Sequence, residues 1–527
     1  MLVKNIINII NFIRDVEPRR PKDLVTPVKE QIKLARRYGL KSTFLLQYDA
    51  FTDDVYIELM KSCSDVCEIG VWFEIVQPLT EKVGLKWRGR YPWDWHCDVG
   101  FLVGYSPEDR IRLIDETMSR FKSIFGYYPE SVGSWHIDAV SMKYLSEKYH
   151  VKACCICRDQ VGTDGYTMQG GYYNGAYYPS VNNMFCPANN PENQINMPVF
   201  RMLGSDAIYA YDYQVTDYNN DGIPTLEPVW NPGGGSEVWV DWFMKETFCG
   251  SGISIQYTQA GQENSFGWDR MGKGLEFQYP YIKKMADEGR AEVMTLKESG
   301  KWFLDNFSVT PAQTLKAMTD WNDCGRKSVW YSSRYYRTNV MWENGVVRFR
   351  DFYIFNDMYE ENYLHVPCTT SACEYRNLPV MDGAIYTEPK GRAAGIYITS
   401  NGENTVWDDI TYAETGSTAT ITLKHGNSRA VITLNENSVK IQSDIDTLTL
   451  TPVYDKNRAL GTLDLSDDFG NHNNRDNVMT YVSQVFKTGN KISFVFNNIE
   501  YSLSFEDATV NDDFSVVSNS GSIIVQI

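Results

Sequence analysis

The sequence carries little positive charge: 50 Lys and Arg stand against 67 Asp and Glu, a net charge of −17 over 527 residues. Phosphate backbones and anionic bilayers are gripped by basic footprints, so nucleic acid and membrane are excluded as partners. Long apolar runs are also missing, and no stretch reaches the ~18 residues of a membrane span. Val3 to Ile13 is apolar but broken by Asn5, Asn8 and Asn11, without the basic, apolar, small-residue order of a secretory leader. The 11 Cys show no recurring CxxC spacing, so no structural zinc site is expected. Cys154, Cys155 and Cys157 read as buried strand residues, Cys63 and Cys67 have helical spacing, and Cys368 and Cys373 are close enough for a local link. Such usage implies a reducing compartment. The expected location is cytoplasmic, or periplasmic or secreted if a leader has been removed. A Gly-x-Ser-x-Gly elbow is absent, which argues against a serine-triad hydrolase. The Gly runs at 170–175 and 233–235 are not followed by Lys-Ser/Thr, which argues against a phosphate loop. No cofactor is called for.

Aromatic residues, by contrast, are abundant: 34 Tyr, 24 Phe and 14 Trp. Residues 87–98 alone hold three Trp, two Arg, a Tyr, two Asp and a His. Aromatic faces stack on the apolar faces of sugar rings, and Arg and Asp bind hydroxyls, so this segment reads as the wall of a carbohydrate pocket. The plainer reading is a long loop whose aromatics cap the end of a barrel. A neutral glycan fits the acidic composition better than an anionic polymer.

The first 300 residues alternate short apolar runs with helical segments. Strands are expected at 42–49, 68–74, 131–138, 151–158, 198–202, 253–257 and 291–295. Helices are expected at 29–38, 54–62, 107–125, 141–149, 236–249 and 272–288. For the helix at 107–125, Ser106 is the expected N-cap and Gly126 the stop. This alternation implies parallel strands with crossover helices. The long irregular stretch 162–235 is expected to be functional or to have structure of its own. From Val346 on, period-2 segments such as 419–423, 430–434 and 491–496 dominate, with turns at 401–402 and 467–471. The expected architecture is an α/β, distorted (β/α)7-type barrel over 1–310, a linking segment at 311–345, and an antiparallel β-sandwich over 346–527.

Active groups of parallel barrels gather at the C-terminal ends of strands. That rule selects Asp49, Glu74, His136, Asp138 and Asp159, then Asp164, Glu263 and Asp269. Paired carboxylates are what glycoside cleavage requires, one to protonate the leaving oxygen and one to attack or activate water. Glu74 stands out because a charge inside an apolar run needs a reason. Asp49 and Asp138 could instead cap helices, Glu263 could cap a turn, and Asp164 sits in a good turn sequence. His96-Cys97-Asp98 and His136-Ile137-Asp138 are His-x-Asp pairs, too weak a signal to assign a metal.

Three stretches resemble the superfamily that joins polysaccharide deacetylases to the distorted-barrel glycoside hydrolases of families 38 and 57. Residues 41–45 with Asp49 are similar to the first deacetylase motif, Cys67-Glu68-Ile69-Gly70 to the strand before its His-x-x-x-His metal motif, and 125–129 with 133–135 to the third motif. The two metal-binding His are replaced, for the chain reads Val71-Trp72-Phe73-Glu74-Ile75-Val76-Gln77 there. The resemblance therefore implies the barrel without the deacetylase metal site. Glu263 to Trp268 is similar to the family 57 segment carrying the acid/base Asp, although Gln262 falls at that position and Glu263 is the nearest carboxylate.

The resulting expectation is a glycoside hydrolase acting on a neutral glycan. Glu74 and Glu263 are the expected pair, with Asp49, Asp138 and Asp159 as further catalytic candidates. Trp72, Trp93, Trp95 and Trp268 are expected as stacking walls and Arg88 and Arg90 as clamps. Asp94, His96, His136 and Asp164 complete the substrate contacts. The alternatives are a catalytically silent carbohydrate-binding protein on the same barrel, or a metal-assisted deacetylase using His96 or His136.

Overall fold

The computed structural model describes residues 3–19, 22–163, 165–212, 224–248, 250, 252–387, 391–460, 462–464, 478–480 and 482–527. The turn expected at 467–471 and the candidate Asp164 lie outside the described residues.

The chain opens with β1 (Lys4–Ile13), which the sequence reading had not counted as a strand. It is followed by α1 (Val25–Tyr38), β2 (Ser42–Leu46), α2 (Asp54–Ser62) and β3 (Cys67–Trp72). Next come α3 (Pro107–Phe125), β4 (Ser131–Gly133), α4 (Ala139–Tyr149) and β5 (Ala153–Ile156). An excursion contributes β6 (Gln160–Thr163), β7 (Tyr166–Gln169) and β8 (Ala176–Tyr177) before β9 (Val199–Arg201). The unit closes with α5 (Glu237–Phe248), β10 (Ile255–Ala260), α6 (Trp268–Asp287), β11 (Glu292–Met294) and α7 (Leu296–Asn306).

The sheet runs β10-β1-β2-β3-β4-β5-β9, all parallel, with β8 antiparallel on β9 and β11 beside β1. These seven parallel strands form the expected distorted (β/α)7 barrel, nearly closed. No ladder joins β9 to β10 among the described residues. Side chains cross the gap instead: Gln259 accepts from Leu203 N at 2.8 Å, and Asn174 Nδ2 donates to Tyr257 O at 3.2 Å.

β1 is central because both its faces are buried, and parallel strands buried on both faces read as near-continuous apolar runs. Its Asn residues do not interrupt it. Asn8 is enclosed and its Nδ2 donates to Met294 O at 2.8 Å and Ser299 Oγ at 2.7 Å, so the desolvation of its amide nitrogen is compensated. Helix α3 has the bounds the sequence implies. Ser106 accepts from Asp109 N at 3.2 Å, and Gly126 takes φ 86°, where a Cβ would be strained.

The second unit is an antiparallel sandwich of a ten-stranded and an eight-stranded sheet. In Thr418–His425, Ala419, Ile421 and Leu423 point inward and alternate with more exposed neighbours, which is the period-2 pattern the sequence displays. The turn at Asn401-Gly402 is present, with both residues at positive φ. Residues 311–345 are not a link: β12 (Gln313–Ala317), β13 (Arg326–Ser332) and β14 (Tyr336–Glu343) belong to the larger sheet beside β15 (Val346–Ile354). Their polar residues disguised them. Ser328 Oγ and Trp330 Nε1 both donate to Ala207 O, at 2.7 and 2.9 Å, so the segment that follows β9 covers strands whose polar residues read as a linker. β16 (Cys373–Arg376) leaves the sandwich to pair in parallel with β7.

Candidate functional site

The C-terminal ends of the barrel strands converge on Arg14, the residue after β1. Asn264 fixes the backbone there: its Oδ1 accepts from Arg14 N at 2.9 Å and its Nδ2 donates to Arg14 O at 2.8 Å, tying the ends of β1 and β10 together. The Arg14 side chain is buried. Its Nε and Nη2 donate to Glu74 at 2.8 and 2.6 Å, and its Nη1 lies 3.0 Å from Glu263 Oε2 and 3.7 Å from Glu17 Oε2. The face of the guanidinium lies 4.2 Å from the centre of the Trp93 ring. Burial works against the charge, but the surrounding carboxylates hold the Arg14 proton well above the ordinary guanidinium range.

The expected pair Glu74 and Glu263 is thus brought together on one guanidinium, yet the two carboxylates differ. A carboxylate has about four lone-pair sites. On Glu74 these are taken by Arg14 Nε, Arg14 Nη2, Gln47 Nε2 at 2.8 Å and Trp135 Nε1 at 2.8 Å. Glu74 is only 1% exposed and has no acceptor site left for a substrate. It positions Arg14. On Glu263, Oε1 accepts from Ser265 Oγ at 2.6 Å, whereas Oε2 has the Arg14 ion pair and no aligned hydrogen bond. Burial pushes the Glu263 carboxyl up to about 6 against the pull of Arg14, and the nearby charge of Glu74 adds to the rise.

Glu263 lines a cavity of ≈ 430 Å³ together with Glu17, Arg19, Trp230, Phe266 and Arg270. Burial opposes the charge on Glu17, but Arg19, paired at 2.9 Å, and Arg14 hold its carboxyl below the usual range. Arg270 lies over Trp230 and Phe266, 5.5 and 5.0 Å from the ring centres. Neither Arg14, Glu17 nor Trp230 was singled out from sequence. The signal existed, because Arg14-Asp15 ends an apolar run as Glu74 does, but β1 was weighed as a leader rather than as a strand.

The aromatic segment does reach this site, but as packing. Trp93 is buried beneath Arg14, and Arg19 lies over both Trp93 and Trp95, at 4.9 and 5.1 Å. Trp95 stacks on Tyr91 with ring centres 6.0 Å apart. Arg90 grips Asp94 through two bonds of 2.9 and 2.7 Å and covers Trp95, while Asp94 also accepts from His96 N at 3.3 Å. Arg88 binds the carbonyls of Asp98 and Gly104, so it braces the loop rather than clamping a ligand.

The other candidates sit elsewhere. Trp72 is a barrel-interior residue stacked on Phe12 at 4.3 Å, because strand alternation points it inward; it is not a wall open to substrate. Trp268 begins α6 and its ring covers Gly272. Asp49 accepts from Asp15 N, Val16 N and Ala50 N at 3.3, 3.1 and 2.7 Å, so it holds the chain that follows Arg14. Burial and the neighbouring Asp15 push its carboxyl up to about 7. Asp138 is the N-cap of α4 and pairs with Arg110 at 3.0 Å, both fully buried. Asp159 is bound by Arg201 at 2.7 Å, by Arg337 of β14 and by Gly170 N at 2.9 Å, which welds the barrel to the sandwich. His136 is enclosed beside Cys97 and Cys373. Cys368 and Cys373 are both free thiols, so the local link is absent.

The fold, a distorted parallel barrel followed by a β-sandwich, has counterparts among solved structures. In fold the chain is similar to a protein of Parabacteroides distasonis provisionally described as a glycoside hydrolase/deacetylase, with a TM-score of 0.53 at 13% identity over 71% of this chain and 90% of that one. A provisionally described polysaccharide deacetylase of Mycobacterium smegmatis gives a TM-score of 0.35 at 10% identity, over 57% of this chain and 90% of that one. A family 57 branching enzyme of Thermococcus kodakaraensis gives 0.29 at 9% identity, over 58% of this chain and 71% of that one. These last two scores are too low to carry an argument. No protein-family model and no curated protein matches the sequence.

Proposed function

We propose that the chain is a glycoside hydrolase whose active centre is the cavity beside Arg14, with Glu263 as the general acid and Glu17 as the second carboxylate. The reading rests on the cavity and not on fold likeness, which hosts many chemistries. The observation that carries it is that one cavity is lined by two carboxylates displaced in opposite directions, Glu263 upward and Glu17 downward. Carboxyls whose environments push them apart divide the acid and base roles between them. Their Oε2 atoms lie 3.0 and 3.7 Å from the same Arg14 nitrogen. They are therefore no farther apart than those two distances laid end to end, compatible with the ~5–9.5 Å used by such pairs. Trp230 and Phe266 supply flat apolar faces of the kind on which a pyranose ring stacks.

The test is hydrolysis by the purified protein of a broad panel of α- and β-linked glycosides, with Glu263→Gln and Glu17→Gln alongside. The expected result is cleavage by the wild type and a loss of at least ~10²-fold in both variants, the usual contribution of a positioned acid or base. If the wild type cleaves nothing yet binds a glycan, and binding survives Glu263→Gln, the chain is a silent carbohydrate-binding protein and the proposal fails.

A further inference from the structure

Apart from the Arg14 cavity, three soft ligand atoms meet in the interior. Cys97 opens the short helix Cys97–Gly100 at the end of the aromatic segment, His136 follows β4, and Cys373 begins β16. They are 0%, 1% and 3% exposed. One ligand atom from each lies within 4.8 Å of the other two, and His136 Nε2 is 3.5 Å from Cys373 Sγ. Tetrahedral bonds of ~2.3 Å to sulfur and ~2.0 Å to nitrogen place such atoms about 3.5 Å apart, and two sulfurs slightly under 4 Å apart. The fit is therefore close for one pair and within a small adjustment for the rest.

We propose that Cys97, His136 and Cys373 bind a single thiophilic divalent cation of the zinc type, which fastens the aromatic segment and β16 to the barrel.

Several features support a cation over a chance cluster of buried cysteines. His136 Nε2 is the ring nitrogen that faces Cys373 Sγ, and Cys97 offers its own ligand atom to the same point. The imidazole is wrapped by Phe101, Tyr166 and Tyr375, with ring centres 4.4, 5.3 and 5.4 Å away. Two thiols that lose their protons on binding contribute two negative charges, so a divalent ion gives a site of zero net charge, whereas a monovalent one leaves an uncompensated charge in an apolar pocket. The three ligands come from distant parts of the chain, and Cys97 N donates to Ser371 O at 2.9 Å, so the backbones already meet there. The nearby Cys368, bonded to the carbonyls of Thr370 and Ala372, is not one of the three ligands.

The experiment uses the full chain, reduced with a phosphine, stripped by a chelator and titrated with Co²⁺ alone. The expected result is a thiolate-to-cobalt charge-transfer band that saturates at one equivalent and is displaced by Zn²⁺. It should persist in Cys368→Ser and vanish in Cys97→Ser and Cys373→Ser. X-ray absorption on the zinc-loaded wild type should show two sulfur scatterers and at least one imidazole nitrogen. That measurement decides the matter even if a variant fails to fold. No band in the wild type, a band retained in both Cys97→Ser and Cys373→Ser, or a zinc shell without sulfur would each overturn the proposal.

Discussion

Arg14 and Arg337 are both fully buried guanidiniums gripped by carboxylates near the C-terminal ends of barrel strands, and they are held in different ways. Arg337 binds Asp159 and makes a two-bond pair with Asp351 at 2.9 and 2.7 Å, while Asp159 has Arg201 and Gly170 N as further partners. Every oxygen of Asp159 is used, and although burial opposes its charge the two arginines hold its carboxyl below the usual range. Arg14 instead faces three carboxylates. It binds Glu74 through two bonds and leaves Glu263, a residue that lines a cavity, with a buried Oε2 that has the ion pair but no aligned hydrogen bond. Two clusters of the same chemistry therefore divide into a weld between domains and a place where a proton can be exchanged. The position of a carboxylate at a strand end does not separate them; the count of its filled acceptor sites does.

The comparison breaks most visibly if the arginines are removed. Arg14→Met and Arg337→Met each leave buried carboxylates uncompensated, and each should cost about 3–5 kcal/mol in chemical denaturation. Unchanged stability in either would mean that the corresponding carboxylates are neutral. Asp159→Asn keeps the shape but leaves guanidinium donors unmatched, so about 1–3 kcal/mol should be lost while the folded fraction keeps full activity. An activity loss there without a stability loss would move the site to the domain junction.

The two clusters should also respond to pH in opposite senses. The depressed carboxyl of Asp159 contributes stability above its unfolded value of about 3.9, which is lost as pH falls through the folded value. The raised carboxyl of Glu263 contributes fully below about 4.3 and loses that contribution as pH rises through about 6. Wild-type minus variant denaturation curves for Asp159→Asn and Glu263→Gln should therefore slope in opposite directions with pH. With Glu263 as the proposed general acid, kcat/KM should fall as pH rises past about 6. The smallest expected effect belongs to Trp230→Ala, which removes a cavity wall: KM should rise several-fold, by the ~0.5–1.5 kcal/mol of an aromatic stacking contact, with kcat little changed.

Much of the fold was readable because helices and strands leave different periods. Pro107 to Phe125 displays cap, amphipathic stripe and terminating Gly, and the sandwich strands alternate cleanly. β1 was missed because Asn8 Nδ2 and Asn11 Oδ1 find their partners nearly 300 and about 250 residues away, contacts that no local window contains. β12 to β14 were missed because their cover comes from Ala207 of the other unit. The site shows the same limit. Glu74 and Glu263 could be named from strand ends, but that Glu74 is consumed by Arg14, Gln47 and Trp135 depends on three other segments meeting there.

An incompletely bonded carboxyl, rather than strand-end position, is what singles out Glu263 as the proposed acid. The most direct measurement is kcat/KM and unfolding free energy for Glu263→Gln and Asp159→Asn, side by side on one cleaved glycoside. Glu263→Gln is expected to lose at least ~10²-fold in kcat/KM in its folded fraction, while Asp159→Asn loses stability and keeps its turnover. A Glu263→Gln chain that cleaves the glycoside at the wild-type rate would contradict it.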